Sequence, residues 1–537
     1  MQLADADADA DTDAVDADVL IVGYGPVGQT LAALLGASGH RVVVCERRTG
    51  RYETPRAGHF DHEIMRVFQS LGIADEVRRI AEPARAYAFL DPDGSVISRL
   101  PRDWAAPSGW DASYHFYQPE LEEVLDAAVR GSATVDVRFG AEVVDLRQED
   151  GRDGRGGRDG QDGQDGHVAV TLADGRVVTA RFAVGADGAN SAVRRLCGVP
   201  TEDLGFRGDW LVVDVRPWPG APDLDIPDTG QVLDPARPNH MGRVAQRYFR
   251  WEFMLVEGDD PAEMVRPERV RELLSPWIGP DEGEVIRQTV YRFRSLVADT
   301  FRHRSVLLAG DAAHVMPPFL GQGMSSGVRD AATLAWMLDL VLSGAAGPEL
   351  LDLYTLSRKP QVIAYIGESV RVGNVVCETD PVRAARRRAE MRSATGLPPP
   401  FQPPVGAGFR DGQPLAGHLA VQPLLRTGGG KAERSDDVLG RGFTLFSLVA
   451  PDAATAAALS DLERAIGLRS VVVGAGEVEG AGVEGVEEEG EALRGWIEES
   501  GAVAVLVRPD FYVYGTAAGP SEVVDLLASL RTDLSLV

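Results

Sequence analysis

The residues of this chain best suited to chemistry are glycines and acids set at the ends of apolar runs. Gly23-Tyr24-Gly25-Pro26-Val27-Gly28 follows an apolar run at 18–22 and opens a helical pattern at 29–38. A second apolar run at 41–45 ends in Glu46 and Arg47. The spacing has a physical reading: Gly23 permits a tight turn, Gly25 lets the backbone approach a diphosphate, and Gly28 lets helix pack on strand. A diphosphate then sits on the helix N-terminus beside Pro26 and Val27, where free N–H groups and the helix dipole favour an anion. Glu46 is placed to bind ribose hydroxyls. A GxGxxG alone is weak evidence, but here strand, helix and acid are in register, which favours dinucleotide binding over a merely structural turn. It does not separate NAD from FAD.

Two later segments repeat the pattern of a buried strand ending in an acid. Residues 177–184 lead into Asp187-Gly188, with Ser191 and Arg194 following. Residues 306–309 lead into Gly310-Asp311, then His314, Pro318, Gly321, Gly323 and Met324, with a helical pattern over 324–342. Asp311 is placed to accept from a sugar or ribityl hydroxyl. The N–H groups of Gly323 and Met324 start a long helix and can stabilise an anion.

In this order and spacing the three motifs resemble those of the class A flavoprotein monooxygenases, the p-hydroxybenzoate hydroxylase fold. Further similarities are Pro55-Arg56-Ala57 with Asp61, Gln118 to Glu122, and Tyr354 with Arg358-Lys359-Pro360. The resemblance spans about residues 18–375, and the nearest branch is that of meta-hydroxyphenylpropionate hydroxylases and aromatic polyketide hydroxylases. It implies FAD as cofactor, with Arg56 and Gln118 near the flavin and the 323–324 amides beside its reduced, anionic form. It further implies NAD(P)H and O2 as cosubstrates, a flavin C4a-hydroperoxide as oxygen donor, and a small aromatic substrate. A single dinucleotide fingerprint fits a family in which NAD(P)H has no Rossmann domain of its own. The chain departs from many relatives at Ser325, where they carry Asn. Residues 415–537 resemble a thioredoxin-like domain, yet no cysteine follows Cys377. Dithiol chemistry is therefore excluded there, and a packing or oligomerisation role is expected. The same fold also carries Baeyer–Villiger oxidation and polyketide epoxidation, which the sequence does not separate from hydroxylation. A halogenase is disfavoured because WxWxI is absent; a non-catalytic flavin-binding protein is disfavoured by the intact motifs.

The elements that must position these residues form an α/β chain: a Rossmann-like FAD-binding domain, an inserted β-sheet substrate domain and a thioredoxin-like C-terminal domain. The expected division places residues 1–17 in an acidic tail and 18–90, 113–209 and 288–375 in the FAD part. Residues 91–112 and 210–287 fall in the substrate part, 376–414 in a helical, proline-rich linker, and 415–537 in the last domain. Residues 61–71 show an amphipathic helical pattern, with Ile64, Val67, Phe68 and Leu71 on one face. Residues 148–167 are a Gly/Asp-rich insertion between two strand-like runs, at a hairpin tip where length costs little. At 248–256 the large side chains alternate, Phe249, Trp251 and Phe253 against Tyr248, Arg250 and Glu252. Tyr248 and Arg250 are weak candidates for orienting a phenol or carboxylate; alternation does not say which face lines a pocket. His314 and His59 lie beside flavin motifs, and a structural role is the better reading of His314. No protein nucleophile is expected.

Composition narrows the remaining classes. About half of the formal charge of −27 is local, since residues 1–18 and 474–491 each hold seven acids and no Lys or Arg. Both read as solvated tracts unable to build a core. The remainder is only mildly acidic and lacks the basic footprint of a nucleic-acid binder. Lys359 and Lys431 are the only lysines, which leaves little for Schiff-base chemistry. The three cysteines, Cys45, Cys197 and Cys377, are far apart, which excludes a Cys-rich metal site and fits a reducing cytoplasm. Neither a membrane span nor a secretory signal is read. A homo-oligomer remains open.

Overall fold

The computed structural model describes residues 15–149, 166–221, 224, 226–245, 247–394, 399–406, 412–426, 431–474 and 483–536. Most of the acidic tail and the Gly/Asp-rich insertion lie outside the described residues. The strands flanking that insertion, Val143–Glu149 and His167–Leu172, do form an antiparallel hairpin, with His167 opposite Glu149.

The first sheet has a parallel core in the order Val306–Leu308, Val177–Gly185, Ala17–Val22, Val42–Glu46, Val135–Phe139. Val19, Leu20 and Ile21 are fully buried, because helices cover a parallel sheet and leave its strands apolar on both sides. Helix Pro26–Ala37 lies between helices Gly323–Leu342 and Gln118–Arg130. The three acid-ended strands run parallel in this sheet, two of them adjacent and the third beyond Ala17–Val22, so their C-terminal ends open on one edge.

The second sheet has eight strands and is built around the long antiparallel pair Thr201–Pro217 and Gly283–Ala298. Those strands run through the expected divisions at 209/210 and 287/288, because one continuous ladder joins them. Ala86–Leu90, expected in the FAD part, pairs with Thr229–Val232 in this sheet instead. One face of Tyr248–Met254 is settled by register: Phe249, Trp251 and Phe253 stand beside Val215, Val213 and Leu211. These side chains pack on Met264, Val270, Leu274 and Ile278 of a helical cover. Tyr248, Arg250 and Glu252 therefore point the other way.

In the third sheet Thr444–Ser447 is central and parallel to Arg469–Val473, which is parallel to Val483–Glu488. Ala504–Val507 and Val513–Ala517 close it antiparallel, and helix Pro520–Asp533 follows. This is a thioredoxin-like order. Of the 474–491 tract read as solvated, residues 475–482 lie outside the described residues, while 483–488 form a strand with Val486 buried in the core, which corrects that part of the reading.

The C-terminal unit packs on the flavin half of its own chain. Arg66 donates from Nε and Nη2 to the two Asp436 oxygens, at 2.6 and 2.9 Å, and from Nη1 to the Ala420 carbonyl at 2.7 Å. Thr333 donates to Asp510 at 2.9 Å, and Trp336 meets Phe443 edge-on at 5.5 Å. Asp436→Ala would leave the buried Arg66 guanidinium without its carboxylate, a loss of roughly 3 kcal/mol. The midpoint of chemical denaturation is therefore expected to fall; an unchanged midpoint would show that the pair does not hold the interface.

Candidate active site

The glycine turn has the geometry its spacing implies. Gly23 has φ +106°, and a Cβ there would lie 2.4 Å from the Ala186 carbonyl oxygen. One on Gly28 would lie 2.1 Å from the Gly23 oxygen, whereas one on Gly25 meets nothing within 4 Å. Gly23 and Gly28 thus serve backbone packing, and Gly25 faces open space. Pro26 is the first helical residue, and Val27 wedges against Gly310 and Gly327 of the third motif. Glu46 closes the turn: its carboxylate accepts from Tyr24 N–H and Arg48 N–H, each at 3.0 Å. Arg47 is exposed beside it.

The two other acids are short of protein partners. Asp187 Oδ2 accepts from Ala192 N–H at 2.6 Å and Val193 N–H at 3.2 Å, while its buried Oδ1 has no partner among the described residues. Gly188 follows with φ +83°. Burial pushes the Asp311 carboxyl up, against the pull of His314 and Arg56. An inward-facing carboxylate without donors is costly, so both acids suit a ligand rich in hydroxyls. His314 does not belong to that pair: its Nε2 meets Asp330 Oδ2 at 2.6 Å, and Asp330 also takes Gly310 N–H and Arg358 Nε. Asp330 thereby fixes the turn that carries Asp311.

The loop before the long helix is equally constrained. Pro318–Leu320 is a single 3-10 turn, ended by Gly321 at φ +65°, where a Cβ would lie 2.8 Å from His59 Nδ1. Helix Gly323–Leu342 starts with no side-chain cap, which leaves the Gly323 and Met324 end free for an anion. Gln322, just before it, donates to Asp61 at 3.0 Å and accepts from Arg329 at 2.9 Å. Arg329 also pairs with Glu63 at 2.7 Å and with Asp61. Burial alone would raise the Asp61 carboxyl; Arg329, His62 and Gln322 outweigh it and hold the group below the usual range. Gln118 Oε1 accepts from Arg56 N–H and Ala57 N–H at 2.9 and 2.7 Å, which ties down the 55–57 segment. The Arg56 side chain itself is exposed. Ser325 is buried, and its hydroxyl has no partner among the described residues.

Above this loop stands the inward face of the second sheet. Arg250 is not available to orient a substrate, contrary to expectation. Nε and Nη2 donate to Asp214 at 2.6 and 3.1 Å, and Nη1 donates to the Arg56 carbonyl at 2.6 Å. Every face of the guanidinium fork is taken, so Arg250 is a strut between sheet and flavin segment. Arg287 reinforces it, reaching Asp214 at 3.0 Å and the Pro55 carbonyl. Tyr248 stacks on Tyr117 with centroids 3.9 Å apart. The reading missed the polar residues that do face inward: Arg102, His115, Gln231, His240 and Glu252. Burial, aided by Arg102, lowers His115 to about 4; burial, aided by Arg250, lowers His240 to about 3. They come from four separate strands and one loop, and no spacing in the sequence joins them.

Known proteins of similar sequence and architecture place the chain in a family. Residues 16–369 match the family described as FAD binding domain, and residues 417–533 match the HcaD C-terminal domain. The chain is 37% identical to a probable NADH-specific resorcinol 4-hydroxylase of Rhodococcus jostii (strain RHA1), over 96% of this chain and 94% of that one. It is 32% identical to the 3-(3-hydroxy-phenyl)propionate/3-hydroxycinnamic acid hydroxylase of Escherichia coli (strain K12 / DH10B), over 96% and 94%. Among solved structures, aklavinone-11 hydroxylase in a ternary complex with FAD and aklavinone superposes with a TM-score of 0.75 at 25% identity, covering 97% of this chain and 99% of that one. The chain belongs to the FAD-dependent aromatic monooxygenases of the p-hydroxybenzoate hydroxylase fold, with an HcaD-type C-terminal domain.

Proposed function

We propose that this monooxygenase uses NADH and O2 to hydroxylate a small phenol of the resorcinol or 3-hydroxyphenyl-acid type in the cytoplasm. The observation that carries the reading is the meeting of two surfaces. A sheet edge with two under-partnered acids, Asp187 and Asp311, lies below a polar face that carries the His115 and His240 imidazoles. The names of the two sequence relatives support NADH and small phenols over a bulky polyketide.

FAD, when bound, supplies the electron transfer and oxygen activation that no side chain here can perform. The chain's own residues do the rest. Gly25 and the helix at Pro26 would face the diphosphate, Glu46 and Asp187 would take ribose and ribityl hydroxyls, and Asp311 would take a further hydroxyl. Gly323 N–H and Met324 N–H would stabilise negative charge on the reduced ring. The covered sheet keeps water from the reacting centre, and the Arg250–Asp214–Arg287 strut fixes how far that sheet stands from the 55–57 segment.

Two measurements test this. Resorcinol or 3-(3-hydroxyphenyl)propionate is expected to accelerate NADH oxidation and to yield a product one oxygen heavier with its ring intact. An NADH rate indifferent to every phenol, or a ring-expanded product, would overturn it. Glu46→Ala removes charge-assisted hydrogen bonds and should weaken FAD binding by roughly 1.5–3 kcal/mol; an FAD titration unchanged from wild type would remove Glu46 from the binding site.

A further inference from the structure

Arg102 carries a half-buried, largely desolvated positive charge that makes no ion pair among the described residues. It lies just after strand Val96–Pro101, where its backbone N–H donates to the Arg85 carbonyl. Its guanidinium stands 5.1 Å from the centre of the Tyr87 ring. Tyr87 in turn donates to the Phe319 carbonyl of the flavin loop at 3.1 Å, so the guanidinium sits where the second sheet meets that loop.

Of its five N–H donors, one side-chain contact is made among the described residues: Nη1 donates to Ser113 Oγ at 3.2 Å. Ser113 Oγ also contacts His59 Nε2, and His59 Nδ1 faces the Gly321 carbonyl at 3.4 Å. Burial and the nearby Arg102 hold the imidazole toward its neutral form; in that form the contacts place the proton on Nδ1, with Nδ1 donating to Gly321 and Nε2 accepting from Ser113. His59 therefore offers Arg102 no charge, and neither does His115, which is likewise held neutral by burial. The two acids that act on Arg102 through space make no direct contact with it among the described residues. Asp61 pairs with Arg329, and Asp228 accepts from Arg85 N–H at 2.8 Å. No ion pair to Arg102 occurs among the described residues.

A guanidinium in this position should be matched by an anion, because burial penalises an unpaired charge by several kcal/mol. Burial does depress the basicity of Arg102, with Tyr87, Asp61 and Asp228 pulling weakly the other way. Arg102 nonetheless keeps some accessible surface, as do His59 and His240, whereas Tyr87, His115, Gln231 and Glu252 among them are buried. A guanidinium that is largely desolvated yet still accessible can be reached by a small ligand.

We infer that Arg102 is the anion-recognition residue of the substrate pocket, holding the anionic oxygen of the aromatic substrate, a phenolate or a carboxylate, against the flavin loop. The assignment rests on the proposed phenol hydroxylation and deepens it. A cation beside a ring hydroxyl favours its ionised form, and a phenolate is the more electron-rich ring for an oxygen donor to attack. The fork geometry also explains an arginine here, since a planar fork can contact one oxygen and retain Ser113.

The test uses oxidised holoenzyme and reads binding from perturbation of flavin absorbance, which needs no turnover. The probes are resorcinol, 3-phenylpropionate and uncharged 1,3-dimethoxybenzene. Arg102→Met is expected to weaken at least one of the first two by roughly tenfold or more and dimethoxybenzene by less than about twofold on the same grounds. Selective loss of resorcinol identifies a phenolate, and selective loss of 3-phenylpropionate a carboxylate. Arg102→Lys, which keeps the charge without the fork, should recover part of the loss. It also serves as the deciding variant if Arg102→Met does not retain flavin, and it is then expected to weaken the anionic probes severalfold. Equal losses for all three probes, or none, would overturn the assignment. Failure of every phenol to stimulate NADH oxidation would instead overturn the proposed function, since the binding readout stands apart from it.

Discussion

Arg329 is buried in the long helix after the flavin loop, and its guanidinium meets Asp61, Glu63 and Gln322 together. Each partner belongs to a different duty. Asp61 caps helix His62–Ser70 through Glu63 N–H and Ile64 N–H. Gln322 is the last residue before helix Gly323–Leu342. Glu63 accepts at 2.6 Å from Tyr512, a residue of the C-terminal unit. A buried charge without partners would be intolerable here, so the cap, the loop and the C-terminal unit must take one mutual arrangement or none. The cysteine-free thioredoxin-like domain thus supplies one corner of the network around Arg329 and helix Gly323–Leu342.

The second constraint is Asp214, shared by Arg250 and Arg287, whose guanidinium groups also hold the Arg56 and Pro55 carbonyls. Sheet and flavin segment are joined through charge-assisted hydrogen bonds, which are shorter and more directional than apolar packing. Gln231, His240 and Glu252 stand in register across that sheet, and burial lowers His240 and His115 toward their neutral forms.

What was legible in the sequence is what is local. Gly23, Gly25 and Gly28 could be given separate roles because a turn, a strand and a helix lie within a few residues. Asp187 and Asp311 were legible as acids at strand ends for the same reason. Helix 62–70 was visible in the spacing of Ile64, Val67 and Phe68, and the period-two pattern at 248–254 was equally plain. Pattern could not say which side of that strand faced inward; pairing with Leu211, Val213 and Val215 decided it. The role of Arg250 was misread because its partner, Asp214, is a cross-strand neighbour that no one-dimensional spacing records. Arg102, His115 and His240 escaped for the same reason. The glutamate-rich 483–488 strand misled because charge density outweighed its valines, and Val486 is buried only once residues 469–473 lie beside it.

The central claim is that the edge formed by Gly25, Glu46, Asp187 and Asp311 holds FAD by non-covalent contacts alone. The most direct measurement is to purify the protein, record its visible spectrum, denature it, and identify and quantify the flavin released. The account predicts a yellow protein that liberates FAD in close to equimolar amount and regains it on reconstitution. A colourless protein that cannot be reconstituted with FAD, or a flavin that stays attached to the denatured chain, would contradict it.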